Sequence, residues 1–128
     1  MYKQKKFVTE TEQYFYQILL EIEKEYDVKV QAQINLASII EKKIKHKYAN
    51  ELFRNIDFGI FDKNLEHLLL AIEINDRTHL KKERKLRDEK VDNILKDANI
   101  KIIKFYTDKE NKRIYVINRI LKNIGLII

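Results

Sequence analysis

FRNIDFGIF (Phe53–Phe61) and HLLLAIEIN (His67–Asn75) stand on either side of DKNLE, and the way these two runs pair decides the fold. Both are apolar at successive positions, as expected of central strands covered on both faces. The polar residues of DKNLE suit a hairpin turn. Alternation puts Asn55, Asp57, Gly59 and Phe61 on one face of the first strand, and Leu69, Ala71, Glu73 and Asn75 on one face of the second. A turn centred on Leu65 sets Asp57 directly opposite Glu73, with Cβ atoms roughly 4.5–5.5 Å apart. Like charges in that relation repel, and a buried carboxylate costs several kcal/mol unless something pairs with it. Either a cation sits between the two, or a buried Arg or Lys such as Arg87 neutralises them. Gly59, beside Asp57 on the same face, predicts room for a ligand to approach.

Outward from the hairpin, Thr9 to Tyr26 reads as an amphipathic helix with Glu12, Phe15, Leu19, Ile22 and Tyr26 in one stripe and Ile18 beside it. Thr9 and Glu12 match a capping box. VKVQAQI (Val28–Ile34) alternates as a strand with Lys29, Gln31 and Gln33 on its polar face, and Asn35 opens a short helix to about Lys45 that turns Leu36, Ile39, Ile40 and Ile44 inward. Downstream, Lys82 to Ala98 is helical with Arg87, Val91, Ile94, Leu95 and Ala98 inward, and Asn99 stops it. IKIIKFY (Ile100–Tyr106) is a strand, and Lys112 to Gly125 a last helix with Ile114, Ile117, Leu121 and Ile124 on one side. The order predicts an α/β fold with helices around a mostly buried sheet.

A chain of 128 residues is expected to form one domain, residues 1–128. Its 26 Lys and Arg against 20 Asp and Glu give a net charge of +6, which suits either a polyanionic partner or a Lys-rich solubilising surface. With no cysteine, disulfides, thiolate metal sites and Cys nucleophiles are excluded, so a metal would need oxygen or histidine ligands. No apolar run approaches the ~20 residues of a membrane span, and MYKQKKFVTETE lacks the apolar core of a signal peptide, so a cytoplasmic protein is expected.

Further polar groups gather where the Glu73 strand ends: Asn75, Asp76, Thr78 and His79, then Arg87, Asp88 and Lys90. A hard divalent cation, Mg²⁺ or Mn²⁺, is commonly held by one or two carboxylates with water and phosphate oxygens. Asp57 and Glu73 are therefore the candidate metal ligands, and Glu12 is a third that its capping role explains equally well. Lys90 or Arg87 is the candidate for stabilising charge at a phosphate, and His79 is a weaker acid or ligand candidate. Lys81, Lys82, Arg84 and Lys85 would track a nucleic-acid backbone.

IDFGIFD, AIEINDRTH, RDEKVDNIL and IKIIKFY, with TETEQYFYQIL and VQAQINLASII upstream, together resemble the PD-(D/E)XK nuclease superfamily, in particular its very-short-patch-repair-like endonuclease branch. The resemblance spans about Phe7 to Tyr106. It implies a restriction-endonuclease-like αβββαβ core with a mixed central sheet flanked by helices on both faces, and Mg²⁺-dependent hydrolysis of nucleic acid, DNA favoured. It makes Asp57 and Glu73 metal ligands, adds the backbone carbonyl of Ile74, and matches His79 and Asp88 to the branch's usual His and Asp. The motif lysine falls on Asn75, which leaves its work to Lys90 or Arg87. The alternatives are a catalytically inactive nucleic-acid-binding module, and an interaction protein that forms a homodimer or joins a larger defence or repair complex through Ile114, Ile117, Leu121 and the tail Gly125–Ile128.

Overall fold

The computed structural model describes residues 1–42, 52–76 and 82–128, without the side chains of 82–84. Among these, the elements run α1 (Glu10–Glu25), β1 (Val28–Asn35), a 3₁₀ turn (Leu36–Ser38), β2 (Asn55–Asp62), β3 (Leu68–Asn75), α2 (Lys82–Asp97), β4 (Ile102–Tyr106) and α3 (Arg113–Asn123). The sheet order is β1-β2-β3-β4. The first three strands are antiparallel and β4 is parallel to β3, with α2 as the crossover a parallel pair requires. The chain is thus an α/β protein with a mixed four-stranded sheet. No helix among the described residues is long and apolar enough to cross a membrane.

The hairpin has the register expected near the carboxylates. Phe58 faces Ile72, Gly59 faces Ala71 and Ile60 faces Leu70, and just beyond this ladder the Asp57 carboxylate meets the β3 backbone at Ile74. A bulge between Ile60 and Phe61 shifts only the turn end, where Phe61 meets Leu68. Leu65 takes a left-handed φ of 58° there, and Asp62 Oδ1 accepts from the Glu66 and His67 amides at 2.8 and 3.3 Å.

One face of the sheet packs on α1 and α3. Phe15, Ile18, Leu19 and Ile22 of α1 and Val116, Ile120 and Leu121 of α3 enclose Phe58, Ile60, Leu70, Ile72, Ile103 and Phe105. The capping box forms: Glu12 N donates to Thr9 Oγ1 at 3.1 Å and Thr9 N to Glu12 Oε1 at 2.9 Å. The opposite face carries a smaller cluster in which Val91 and Leu95 of α2 meet Ile34, Leu36, Ile56, Phe61 and Ala71. As expected, Asn99 ends α2: it takes a φ of 59°, and the Ile100 amide reaches back to the Leu95 carbonyl at 2.8 Å.

Several expectations need correction. The helix expected from Asn35 is only the turn Leu36–Ser38, because Asn35 Oδ1 accepts from Ala37 N and Ser38 Oγ donates to the Asn35 carbonyl, local bonds that compete with helix propagation. Ile44 lies outside the described residues. Ile117 and Leu121 of α3 and its C-cap Ile124 pack against the core as expected, with Val116 and Ile120 buried beside them, while Ile114 is exposed. Tyr26 caps the end of α1 and is exposed, and so are Arg87 of α2 and Ala98 just beyond it, while Val91, Ile94 and Leu95 turn inward as expected. In β1 strict alternation fails at Gln33, whose φ is 53°, so that Ala32 packs with the α1 cluster and Ile34 with the α2 cluster.

Gly59 has a different purpose from the one its place beside Asp57 suggests. A Cβ there would collide with Ile34 Cδ1 and lie 2.7 Å from Leu68 Cδ1, so its missing side chain makes room for core packing rather than for a ligand. Gly59→Ala is expected to destabilise the fold by about 1–3 kcal/mol through overpacking. Urea denaturation measures this, and an unchanged midpoint would mean that both side chains swing clear at no cost.

Candidate metal centre

Asp57 enters from β2 and Glu73 from β3, both half-buried. Asp57 Oδ2 accepts the Ile74 amide at 2.7 Å, which ties the carboxylate of one strand to the backbone of the next. Burial, then the Asp57 charge and a hydrogen bond with Asp57, push the Glu73 carboxyl up to about 9. Burial also raises Asp57, to about 6, with the nearby Glu12 charge adding and the Ile74 amide opposing. The physical content is simple: two carboxyls withdrawn from water against each other retain a proton between them.

Glu12 joins from the first turn of α1. Its capping role and its nearness to the site are both realised: Oε1 takes the Thr9 amide, Oε2 lies 3.4 Å from Gln33 Nε2, and its charge acts on Asp57. Gln33, which would fall opposite Asp57 in the β1–β2 register, is unpaired there and holds the left-handed backbone. A non-glycine residue at such a φ inside a strand is strained, and strain of that kind gathers at functional sites. Sequence gives no warning of it, since Gln33 continues the alternation.

Two cavities of about 420 Å³ each open beside the pair. One is walled by Thr9, Thr11, Glu12, Asp57, Ile74, Asp76 and Thr107, the other by Phe53, Arg54, Asn55, Arg87, Val91, Asp92 and Lys104, while Glu73, Asn75 and Asp88 line both. The structure therefore brings together Glu12, Asp57, Glu73, Ile74, Asn75, Asp88 and Arg87. Lys90 is exposed and lines neither cavity. Lys85 is likewise exposed, His79 and Lys81 lie outside the described residues, and Lys82 and Arg84 belong to α2 with side chains that are not described.

The residue missed by sequence reasoning is Lys104. It pairs with Glu73 in the parallel β3–β4 register, and its positive charge opposes the rise in the Glu73 carboxyl. Nζ donates to Asp92 Oδ2 at 2.7 Å. Partial burial disfavours its charge, yet the Asp92 bond and the Asp92 and Asp88 charges hold it above the ordinary lysine range. Arg119 of α3 fixes the same residue's backbone, its Nη1 donating to the Lys104 carbonyl at 2.6 Å. The signal was available: a lysine inside IIKFY is as anomalous as a glutamate inside LAIEI.

Among the described residues no three His, Cys, Asp or Glu side chains form a ready-made metal cage. The donor set nevertheless fits a hard cation, which needs only one or two carboxylates from the protein. A retained proton between Asp57 and Glu73 marks the position where positive charge is required.

A family model described as "protein of unknown function (DUF2726)" matches residues 4–124. No curated protein and no solved structure matches the chain.

Proposed function

We propose that this chain, which belongs to the DUF2726 family, is a metal-dependent nuclease of the PD-(D/E)XK kind that hydrolyses phosphodiester bonds, DNA favoured. The observation that carries the proposal is the Asp57–Glu73 pair, set on adjacent central strands, with Asp57 in the wall of one open cavity and Glu73 in the wall it shares with a second. Asp57 and Glu73, with the backbone at Ile74, would hold Mg²⁺ or Mn²⁺. When bound, the cation neutralises phosphate charge and acidifies a water.

The chain's own groups supply the rest. The Ile74 amide orients Asp57. Glu12 adds negative charge beside Asp57 and so favours a bound cation over an empty pair. Lys104, held by Asp92, and Arg87 present positive charge on the side of Glu73 away from Glu12, where a phosphate oxygen gaining charge would be stabilised. They stand in for the lysine that Asn75 does not provide.

Incubation of the purified chain with plasmid, single-stranded DNA and RNA in Mg²⁺ or Mn²⁺ is expected to cut at least one of them, with full loss in chelator. Asn75 on the wall of both cavities favours a second function, a nucleic-acid-binding module without catalysis. It requires salt-sensitive binding that persists without metal and survives Glu73→Ala, with no cleavage under any condition.

A further inference from the structure

The Arg54 side chain has no role in the carboxylate pair, yet its placement is costly. Nε and Nη1 are both buried and have no hydrogen-bond partner. Arginine keeps its charge at every physiological pH, so guanidinium N–H groups withdrawn from water without an acceptor are open to one. Its backbone is anchored, since the Leu36 amide donates to the Arg54 carbonyl at 2.8 Å, and it directly precedes β2 at Asn55. The side chain lines the cavity on the Lys104 side of Glu73.

Arg87 lines the same cavity from α2. Of the acidic residues on that wall, Asp92 is committed to Lys104 at 2.7 Å, and Glu73 belongs to the carboxylate pair. Asp88 alone remains against two arginines. A structural arginine would have found a carboxylate, and this one has none among the described residues.

We propose that the cavity walled by Arg54, Arg87 and Lys104 is a phosphate-binding subsite that seats a nucleic-acid phosphate neighbouring the one to be cut. That assignment of the ligand rests on the nuclease function proposed above. With Nε and Nη1 unpaired, Arg54 needs only a turn of its side chain to present the two parallel N–H groups of one guanidinium edge to a phosphate, a geometry that carboxylates and phosphates both match. Arg87 closes on the anion from the solvent side, and Lys104 supplies a fixed charge behind it. Glu73, on the shared wall, places this phosphate next to the metal pair.

The test uses the full chain in chelator, where cleavage cannot interfere. Inorganic phosphate, titrated against potassium chloride of equal ionic strength, is expected to raise the melting temperature of the wild type beyond the chloride control. Arg54→Met is expected to weaken phosphate binding by at least about tenfold, as loss of a bidentate charged contact should. In phosphate-free buffer the same variant should melt no lower than the wild type, because an unpaired buried charge has been removed. Lys96→Ala, an exposed substitution near the far end of α2, should bind phosphate as the wild type does.

Equal effects of phosphate and chloride, or unchanged affinity in a folded Arg54→Met, would each overturn the proposal. Should Arg54→Met not fold, Arg87→Ala decides: the exposed side chain can go without structural harm, and its loss must weaken phosphate binding at least about threefold. Cleavage assays in Mg²⁺ separate the two ideas. Arg54-dependent phosphate binding without any cleavage removes the nuclease function and keeps the anion site, whereas cleavage without Arg54-dependent binding does the reverse.

Discussion

On the proposed nuclease function, Asp57→Asn is expected to fold normally and to cut nucleic acid about 10³-fold more slowly than the wild type at saturating Mn²⁺, and Glu73→Gln to do the same. The amides are chosen because they separate chemistry from structure. An asparagine at position 57 still accepts the Ile74 amide now held at 2.7 Å, so the β2–β3 link survives. What disappears is the negative charge that a hard cation requires. Lys104→Ala is expected to lose about 10–10² in rate, since a fixed cation beside Glu73 goes with it. Lys90→Ala should stay within about twofold, because an exposed side chain outside both cavities touches no phosphate. Single-turnover cleavage of a labelled oligonucleotide measures all four. Losses below tenfold in both carboxylate variants would remove the pair from the reaction.

The contrast between Lys90 and Lys104 shows where sequence is transparent and where it is opaque. The β2–β3 hairpin is local, so side-chain parity and one polar turn suffice to align Asp57 with Glu73, and the bulge at Ile60/Phe61 disturbs only the end away from the site. The β3–β4 pairing is parallel and is reached through α2. Its register depends on how a 16-residue helix crosses the sheet, which no local pattern encodes. Lys90, three positions past Arg87, looks close on a helix, while a lysine on a separate strand looks remote. In the fold the order reverses. Gln33 illustrates a different limit, because a backbone φ of 53° is imposed by its surroundings and leaves no trace in residue type. Arg54 is a third case: one more basic residue among 26 until burial removes its partners. Ile114 departs from the α3 stripe for a simpler reason, that a helix apolar on several sides has no unique inward face.

The carboxylate pair also fixes how stability should depend on pH, with a sign opposite to that of an ordinary salt-bridged acid. Glu73 rises from 4.5 to about 9 on folding and Asp57 from 3.8 to about 6, so across that interval the folded chain binds more protons than the unfolded one. Unfolding free energy then falls as pH rises. The contribution is complete below the unfolded values, is lost for Asp57 by about pH 6, and continues to be lost for Glu73 up to about pH 9. In chelator, raising the pH from 6 to 9 is expected to cost on the order of a few kcal/mol and to lower the melting temperature accordingly. At the proposed metal site Mn²⁺ would take the place of the proton, so the drop should shrink or vanish in its presence, and the stabilisation by metal should grow with pH as proton competition fades. Glu73→Gln should flatten the metal-free curve and leave the variant more stable than the wild type near pH 8, since a glutamine takes up no proton on folding. Thermal melts of both proteins at pH 6, 7, 8 and 9, in chelator and in Mn²⁺, measure each of these slopes. Parallel curves for wild type and variant in chelator would show that Glu73 is ionised at neutral pH without help, and the case for a cation between the two strands would fall with that result.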